Sequence, residues 1–146
     1  MTSSNLVIFT DGGSRGNPGP AGIGIHVEKN GETLFEKSAF IGTGTNNIAE
    51  YEAIKQALQW LLSYLSPTSG HRSQDVQCFL DSQLVVEQLS GRYKIKQPHI
   101  LKYVQEIRVI IEQCRVKVKF THIPREKNKR ADALVNQALD AELSSK

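Results

Sequence analysis

"FTDGGSRGNPGPAGIGIHV", residues 9–27, carries an apolar, β-prone run into Asp11 and then into a turn rich in glycine and proline. A buried strand that ends on a carboxylate holds that charge rigidly at the rim of a sheet, within reach of a metal or a phosphate. Asp-Gly is also an ordinary way to begin a turn, so Asp11 alone leaves both readings open. Working outward, NLVIFTD is one strand, AGIGIHVEKNGETLFEKSAFIG reads as two strands turning at Asn30-Gly31, and VQCFLD and VKVKFTHI follow as further strands. NNIAEYEAIKQALQWLLSYL keeps a helical period through Ile48, Tyr51, Ile54, Ala57, Leu58, Leu61 and Leu62. SQLVVEQLSG, HILKYVQEIRVIIEQC and NKRADALVNQALDAEL read as helices too. Three hairpin-type strands ahead of alternating helix and strand predict an α/β fold, a mixed five-stranded sheet flanked by helices.

That arrangement gives Asp11 company. Asp81 ends VQCFLD as Asp11 ends LVIFTD, and if the two strands are parallel neighbours both carboxylates emerge at one sheet edge, where open α/β sheets bind ligands. Glu50 falls early in the long helix and Asp132 early in the last one, and both can face that edge. Either acid is also explained by its favourable place near a helix N-terminus. Four converging acids repel one another unless a cation is present. Oxygen-only ligation suits magnesium or manganese.

Composition bounds the alternatives. With 146 residues, 39% hydrophobic and 23% charged, the chain is about one domain long and can bury a core, so residues 1–146 are expected to form a single domain. The net charge of +3 is mild, but Arg92, Lys94 and Lys96 form one basic group and Arg125, Lys127, Lys129 and Arg130 another. Such groups suit a polyanion, and each also reads as an ordinary solvated surface. No apolar stretch approaches the roughly 18 residues that span a bilayer, and MTSSN lacks the features of a secretory signal, so a cytoplasmic protein without a membrane partner is expected. Cys78 and Cys114 lack zinc spacing and read as reduced, partly buried thiols. SPTSGHRSQD, Ser66 to Asp75, reads as a loop inside the domain. Nothing in the pattern offers an excess apolar face, so a monomer is expected.

TDGGSRGNPGPAGIG, TGTNNIAEYEAI, LDSQLVV and REKNKRADALVNQAL together resemble the four motifs of type 1 ribonuclease H, in the expected order and over nearly the whole chain. The resemblance implies the ribonuclease H-like fold with strand order 3-2-1-4-5. It implies an endoribonuclease that hydrolyses the RNA strand of an RNA/DNA hybrid, leaving 5'-phosphate and 3'-hydroxyl ends. It further implies two magnesium ions, with manganese a possible substitute, held by Asp11, Glu50, Asp81 and Asp132, Asp11 bridging both. Asn17, Asn47 and Gln83 match positions that approach the hybrid's minor groove, and Thr45 and Asn46 match the start of the metal-bearing helix, where the family also holds DNA phosphate. Asn17 is equally an ordinary turn asparagine, and Asn46 or Asn47 a helix cap.

The chain departs from the best-known pattern in two places. SGRYKIKQPH, between Leu89 and Ile100, is too short for the extra helix and basic protrusion of some relatives, leaving Arg92, Tyr93, Lys94 and Lys96 to grip the hybrid. HIPREKNKRAD lacks the glycine-flanked histidine of that pattern and resembles the short-loop form of archaea and some bacteria, which carries an arginine here; Arg125, seven residues before Asp132, is the candidate to swing over the activating metal and meet the scissile phosphate. His122 is the competing candidate, and a strand-end histidine is more often structural. Within these residues no separate hybrid-binding, polymerase or phosphatase domain is expected. A metal-dead hybrid-binding module and an integrase-like, DNA-cutting nuclease of the same fold remain the alternatives.

Overall fold

The computed structural model describes residues 6–65 and 75–144. MTSSN and all of the expected loop except Asp75 lie outside them. β1 (Leu6–Ser14), β2 (Gly19–Lys29) and β3 (Glu32–Gly44) come first, followed by α1 (Asn46–Leu65) and β4 (Asp75–Leu80). Then come α2 (Gln83–Leu89), α3 (Pro98–Cys114), β5 (Lys117–His122), a 3-10 turn at Arg125–Lys127 and α4 (Lys129–Ser144). The sheet runs β3-β2-β1-β4-β5, the expected order. β1, β2 and β3 pair antiparallel, while β4 lies parallel to both β1 and β5. Asn30 and Gly31 both take positive φ, 53° and 85°, as a two-residue type I′ hairpin requires, so the turn falls where the sequence puts it.

Strand alternation sends Leu6, Ile8 and Thr10 of β1, Ile23, Ile25 and Val27 of β2, and Val76, Cys78 and Leu80 of β4 to one buried face. α1 and α3 cover it with Tyr51, Ile54, Leu58, Leu61, Ile100, Val104 and Ile107. Each such aliphatic side chain stabilises the fold by about 1.5–3 kcal/mol. The stripe expected on α1 is kept in its middle, but Ile48 and Leu62 are half-buried and Leu65 takes the last core position.

α4 lies against the other face. It approaches so closely that a Cβ on Gly24 would stand 2.1 Å from the Ala131 carbonyl oxygen. α1 presses on Gly12 in the same way, 2.2 Å from the Ala49 carbonyl carbon. Two side-chain-free positions thus let α1 bring its first turn down onto the strand that carries Asp11, and α4 bring its first turn down onto β2, at the residue paired with Asp11.

β1 does not end at Asp11, contrary to the sequence reading. Its parallel pairing with β4 stops at Phe9↔Phe79, but its antiparallel pairing with β2 continues through Asp11↔Gly24 to Ser14↔Ala21. Apolarity marks what is buried, whereas a ladder needs only backbone partners, and the glycines on both strands supply them. α3 starts one residue early, on Pro98, which suits a first helical position. Both thiols are fully buried rather than partly so, and burial pushes the Cys78 thiol up to about 12. Among the described residues no helix is long and apolar enough to cross a membrane.

Candidate active site

Carrying the β1·β4 register two residues past Phe9↔Phe79 sets Asp81 beside Asp11. One oxygen each from Asp11, Glu50 and Asp81 fall within 4.8 Å of one another. Asp132, in the first turn of α4, lines the same open cleft of about 480 Å³ and helps raise the Asp11 carboxyl. All four predicted acids therefore meet, and Asp11 is the member common to the trio and to Asp132. A larger groove, about 860 Å³, runs along β5, but its acids are Asp75 and Glu87, and Glu87 is paired with Arg92. The four acids line the smaller cleft.

The acids are held against their ordinary preference for charge. Burial, then the charges of Asp81 and Asp132, lift Asp11 from 3.8 to about 8. Glu50 is raised well above the usual carboxylate range, first by burial and then by Asp11 and Asp81, with Arg125 pulling the other way. Its Oε1 is buried without a hydrogen-bond partner among the described residues. A buried acceptor left unpaired inside a cluster of its own sign is costly in a metal-free site. An all-oxygen donor set with one orphaned oxygen fits a hard divalent cation.

Arg125 enters this cleft from the 3-10 turn. His122 does not; it is exposed at the end of β5 and lines the larger groove with Arg92 and Glu87. Of the two candidates raised by the sequence, only Arg125 stands beside the acids.

The predicted nucleic-acid contacts interlock at the rim. Asn46 Oδ1 accepts the Ser14 N–H at 2.9 Å and its hydroxyl at 3.2 Å, and Asn17 Oδ1 accepts the Asn46 N–H at 3.0 Å. Both amides thereby have their oxygens engaged. The cap ascribed to Asn46 or Asn47 comes instead from Thr45, whose hydroxyl accepts the Ile48 N–H at 3.1 Å. Asn47 is half-buried in the first turn of α1, and Gln83 is exposed at the start of α2, capped by Ser82.

The basic groups divide. Arg92 is paired with Glu87, and Arg130 grips Glu36 with two nitrogens at 2.7 and 2.8 Å. The Arg130 fork, with His26 behind it, holds the Glu36 carboxyl down at about 2. Lys94, Lys96, Lys127 and Lys129 are exposed.

Three polar residues of the site escape a sequence reading. Asn128 is buried to 1% beside Asp81. Arg15 joins Asp140 at 2.7 Å and the Asn136 oxygen at 3.2 Å, and the Asn136 amide donates in turn to the Asp132 carbonyl at 3.1 Å. The spacing from Asp132 to Asn136, one helical turn, was the available signal for the latter. Asn128 and Arg15 meet their partners only through the tertiary fold.

An acid cluster at the carboxyl edge of a sheet ordered 3-2-1-4-5, with helices on both faces, defines the ribonuclease H-like class. A family model described as reverse transcriptase-like matches residues 9–138. A bifunctional protein of Mycobacterium tuberculosis is 39% identical over 142 residues, 96% of this chain, which spans 37% of that protein's length. A ribonuclease H of Nitrosomonas eutropha is 32% identical over 157 residues, covering 95% of this chain and 92% of the relative. The crystal structure of LC11-RNase H1, isolated from compost by a metagenomic approach, in complex with an RNA/DNA hybrid superposes with a TM-score of 0.89 at 45% identity, over 95% of this chain and 99% of that one. The chain belongs to the ribonuclease H family.

Proposed function

We propose that residues 1–146 act as one catalytic domain, an endoribonuclease that hydrolyses the RNA strand of RNA/DNA hybrids in the cytoplasm and leaves 5'-phosphate and 3'-hydroxyl ends. The observation that carries this reading is the meeting of Asp11, Glu50, Asp81 and Asp132 in one open cleft that Arg125 also lines. Asp11, Glu50, Asp81 and Asp132 are the residues that would hold two magnesium ions, or manganese in their place. Bound there, the ions supply an activated water and charge neutralisation at the leaving oxygen of an in-line displacement.

The chain's own residues do the rest. Asp11, adjacent to the other three acids, is placed to serve both ions. Arg125 cannot exchange protons near neutral pH, so its service is to hold phosphate and offset developing negative charge. Asn17, Asn47 and Gln83 offer amides to the minor groove, where the 2'-hydroxyl distinguishes RNA, and Thr45 and Asn46, at the start of the metal-bearing helix, meet DNA phosphate. Lys94 and Lys96 meet phosphate. The test is cleavage of labelled hybrid, duplex RNA and duplex DNA with and without magnesium, followed by mapping of the ends. Magnesium-dependent cutting of the RNA strand of the hybrid is expected. Preferential cutting of duplex DNA, or hybrid binding without any cutting, would sink the assignment.

A further inference from the structure

We infer that Asn128 is a positioning residue for the metal-binding acids, a single amide that ties their separate elements into one ligand set. This rests on reading those acids as metal ligands.

Asn128 lies in the turn between Arg125 and α4 and is 1% exposed. Its Nδ2 donates both to the Thr10 carbonyl, at 2.9 Å, and to Asp81 Oδ2, at 3.1 Å. Thr10 directly precedes Asp11. The Asn128 carbonyl accepts the Asp132 N–H at 3.1 Å, opening α4, and the Asn128 N–H donates to the Arg125 carbonyl at 2.9 Å, closing the 3-10 turn. One residue thus reaches the chain beside Asp11, the side chain of Asp81 and the backbone of both Asp132 and Arg125.

The orientation of this amide is decided by its partners. A backbone carbonyl can only accept, and an ionised carboxylate can only accept, so the atom between them must be the nitrogen. Its Oδ1 is left buried without a partner among the described residues, so the amide is held by its donor end alone. The consequence falls on Asp81. With Oδ2 fixed by Asn128, the carboxylate can turn only Oδ1 freely toward the cleft, and its plane is set before any cation arrives. Donation from Nδ2 also offsets part of the repulsion among the acids. Groups that orient a ligand in this way typically govern metal affinity by about 10- to 100-fold.

The experiment compares the wild-type chain with Asn128→Ala, which leaves a hole, Asn128→Leu, which keeps a similar branched shape without a donor, and Val104→Ala, a core change on α3. Magnesium binding is measured by calorimetry without nucleic acid, and hybrid cleavage is measured across a magnesium titration. Both Asn128 variants should bind magnesium at least about tenfold more weakly. Their kcat should fall at low magnesium and recover as magnesium rises, while KM for hybrid is unchanged. Val104→Ala should lower the melting temperature yet leave magnesium affinity alone. In the folded wild-type chain, the side-chain NH2 signals of Asn128 should be protected from solvent exchange and should move when magnesium is added.

Wild-type magnesium affinity in either folded Asn128 variant, or NH2 protons that exchange freely and ignore magnesium, overturns the proposal. The NH2 measurement needs no variant, so it decides even where a substitution fails to fold. A wild-type chain that binds no magnesium defeats the reading of the acids as ligands, an outcome visible without any Asn128 variant.

Discussion

At the scale of single residues, Asp11 shows what the site costs without metal. Its carboxyl is raised from 3.8 to about 8, so between those values the folded chain keeps a proton that the unfolded chain releases. Stability from this group is therefore full below about pH 4 and lost progressively as pH climbs through 8. Asp11→Asn fills the same space without the charge. In chelator it should melt above the wild type at pH 8, with the difference shrinking toward pH 4; melting curves across that range are the check, and a difference that ignores pH would contradict the electrostatic account. The same variant should lose hybrid cleavage, since an amide replaces the carboxylate proposed to serve both ions. Arg125 and His122 separate by place. Arg125→Ala should lower kcat roughly ten- to a thousandfold, the scale of losing one positioned donor, with magnesium binding retained. His122→Ala, outside the cleft, should leave kcat unchanged. Steady-state kinetics with the opposite result would make this loop a site of acid–base chemistry.

At the scale of elements, the catalytic geometry depends on how closely two helices sit on one sheet. Gly24→Ala forces a methyl to within 2.1 Å of the Ala131 carbonyl and 2.9 Å of the Leu134 Cβ. α4 must lift, and Asp132 with it. Overpacking of this kind typically costs about 1–3 kcal/mol. The expected signature is a lowered melting temperature with a larger loss of kcat than Val104→Ala gives at equal stability; equal losses would mean that α4 tolerates displacement. The strands, helices and hairpin were legible because periodicity and turn chemistry are local, and the Asn30-Gly31 turn needs nothing beyond its two residues. Asp11 and Asp81 were legible as a pair because each follows an apolar run. The continuation of β1 to Ser14 was not, since it rests on partners in β2 rather than on side-chain pattern. Asn128 was hidden for a related reason: its partners are the carbonyl of Thr10 and a carboxylate of Asp81, both remote in sequence. Arg92 and Arg130 looked free in a linear chain and are engaged in the fold by Glu87 and Glu36.

At the scale of the whole molecule, a net charge of +3 says little about how a polyanion is held, because the distribution decides it. Cations already bound to a carboxylate release few counterions on meeting phosphate, whereas exposed lysines release their full share. The α2–α3 connection contains both kinds within five residues, Arg92 paired with Glu87, and Lys94 and Lys96 exposed. If Lys94 and Lys96 each meet a phosphate, the slope of log affinity against log salt should flatten by about 0.9 for each lysine removed. Arg92→Ala alone should leave that slope unchanged, since the ion pair it breaks is internal. Hybrid binding is best measured with the cleavage-dead Asp11→Asn background, across roughly 50 to 200 mM salt, so that substrate stays intact. In the cleavage-competent chain, Lys94→Ala with Lys96→Ala should raise KM and leave kcat at saturation near the wild-type value, because neither lysine lines the cleft that holds the acids. An unchanged slope in the double variant would return the two lysines to ordinary solvated surface. A slope lowered by Arg92→Ala would mean that hybrid displaces Glu87 and that the ion pair opens on binding.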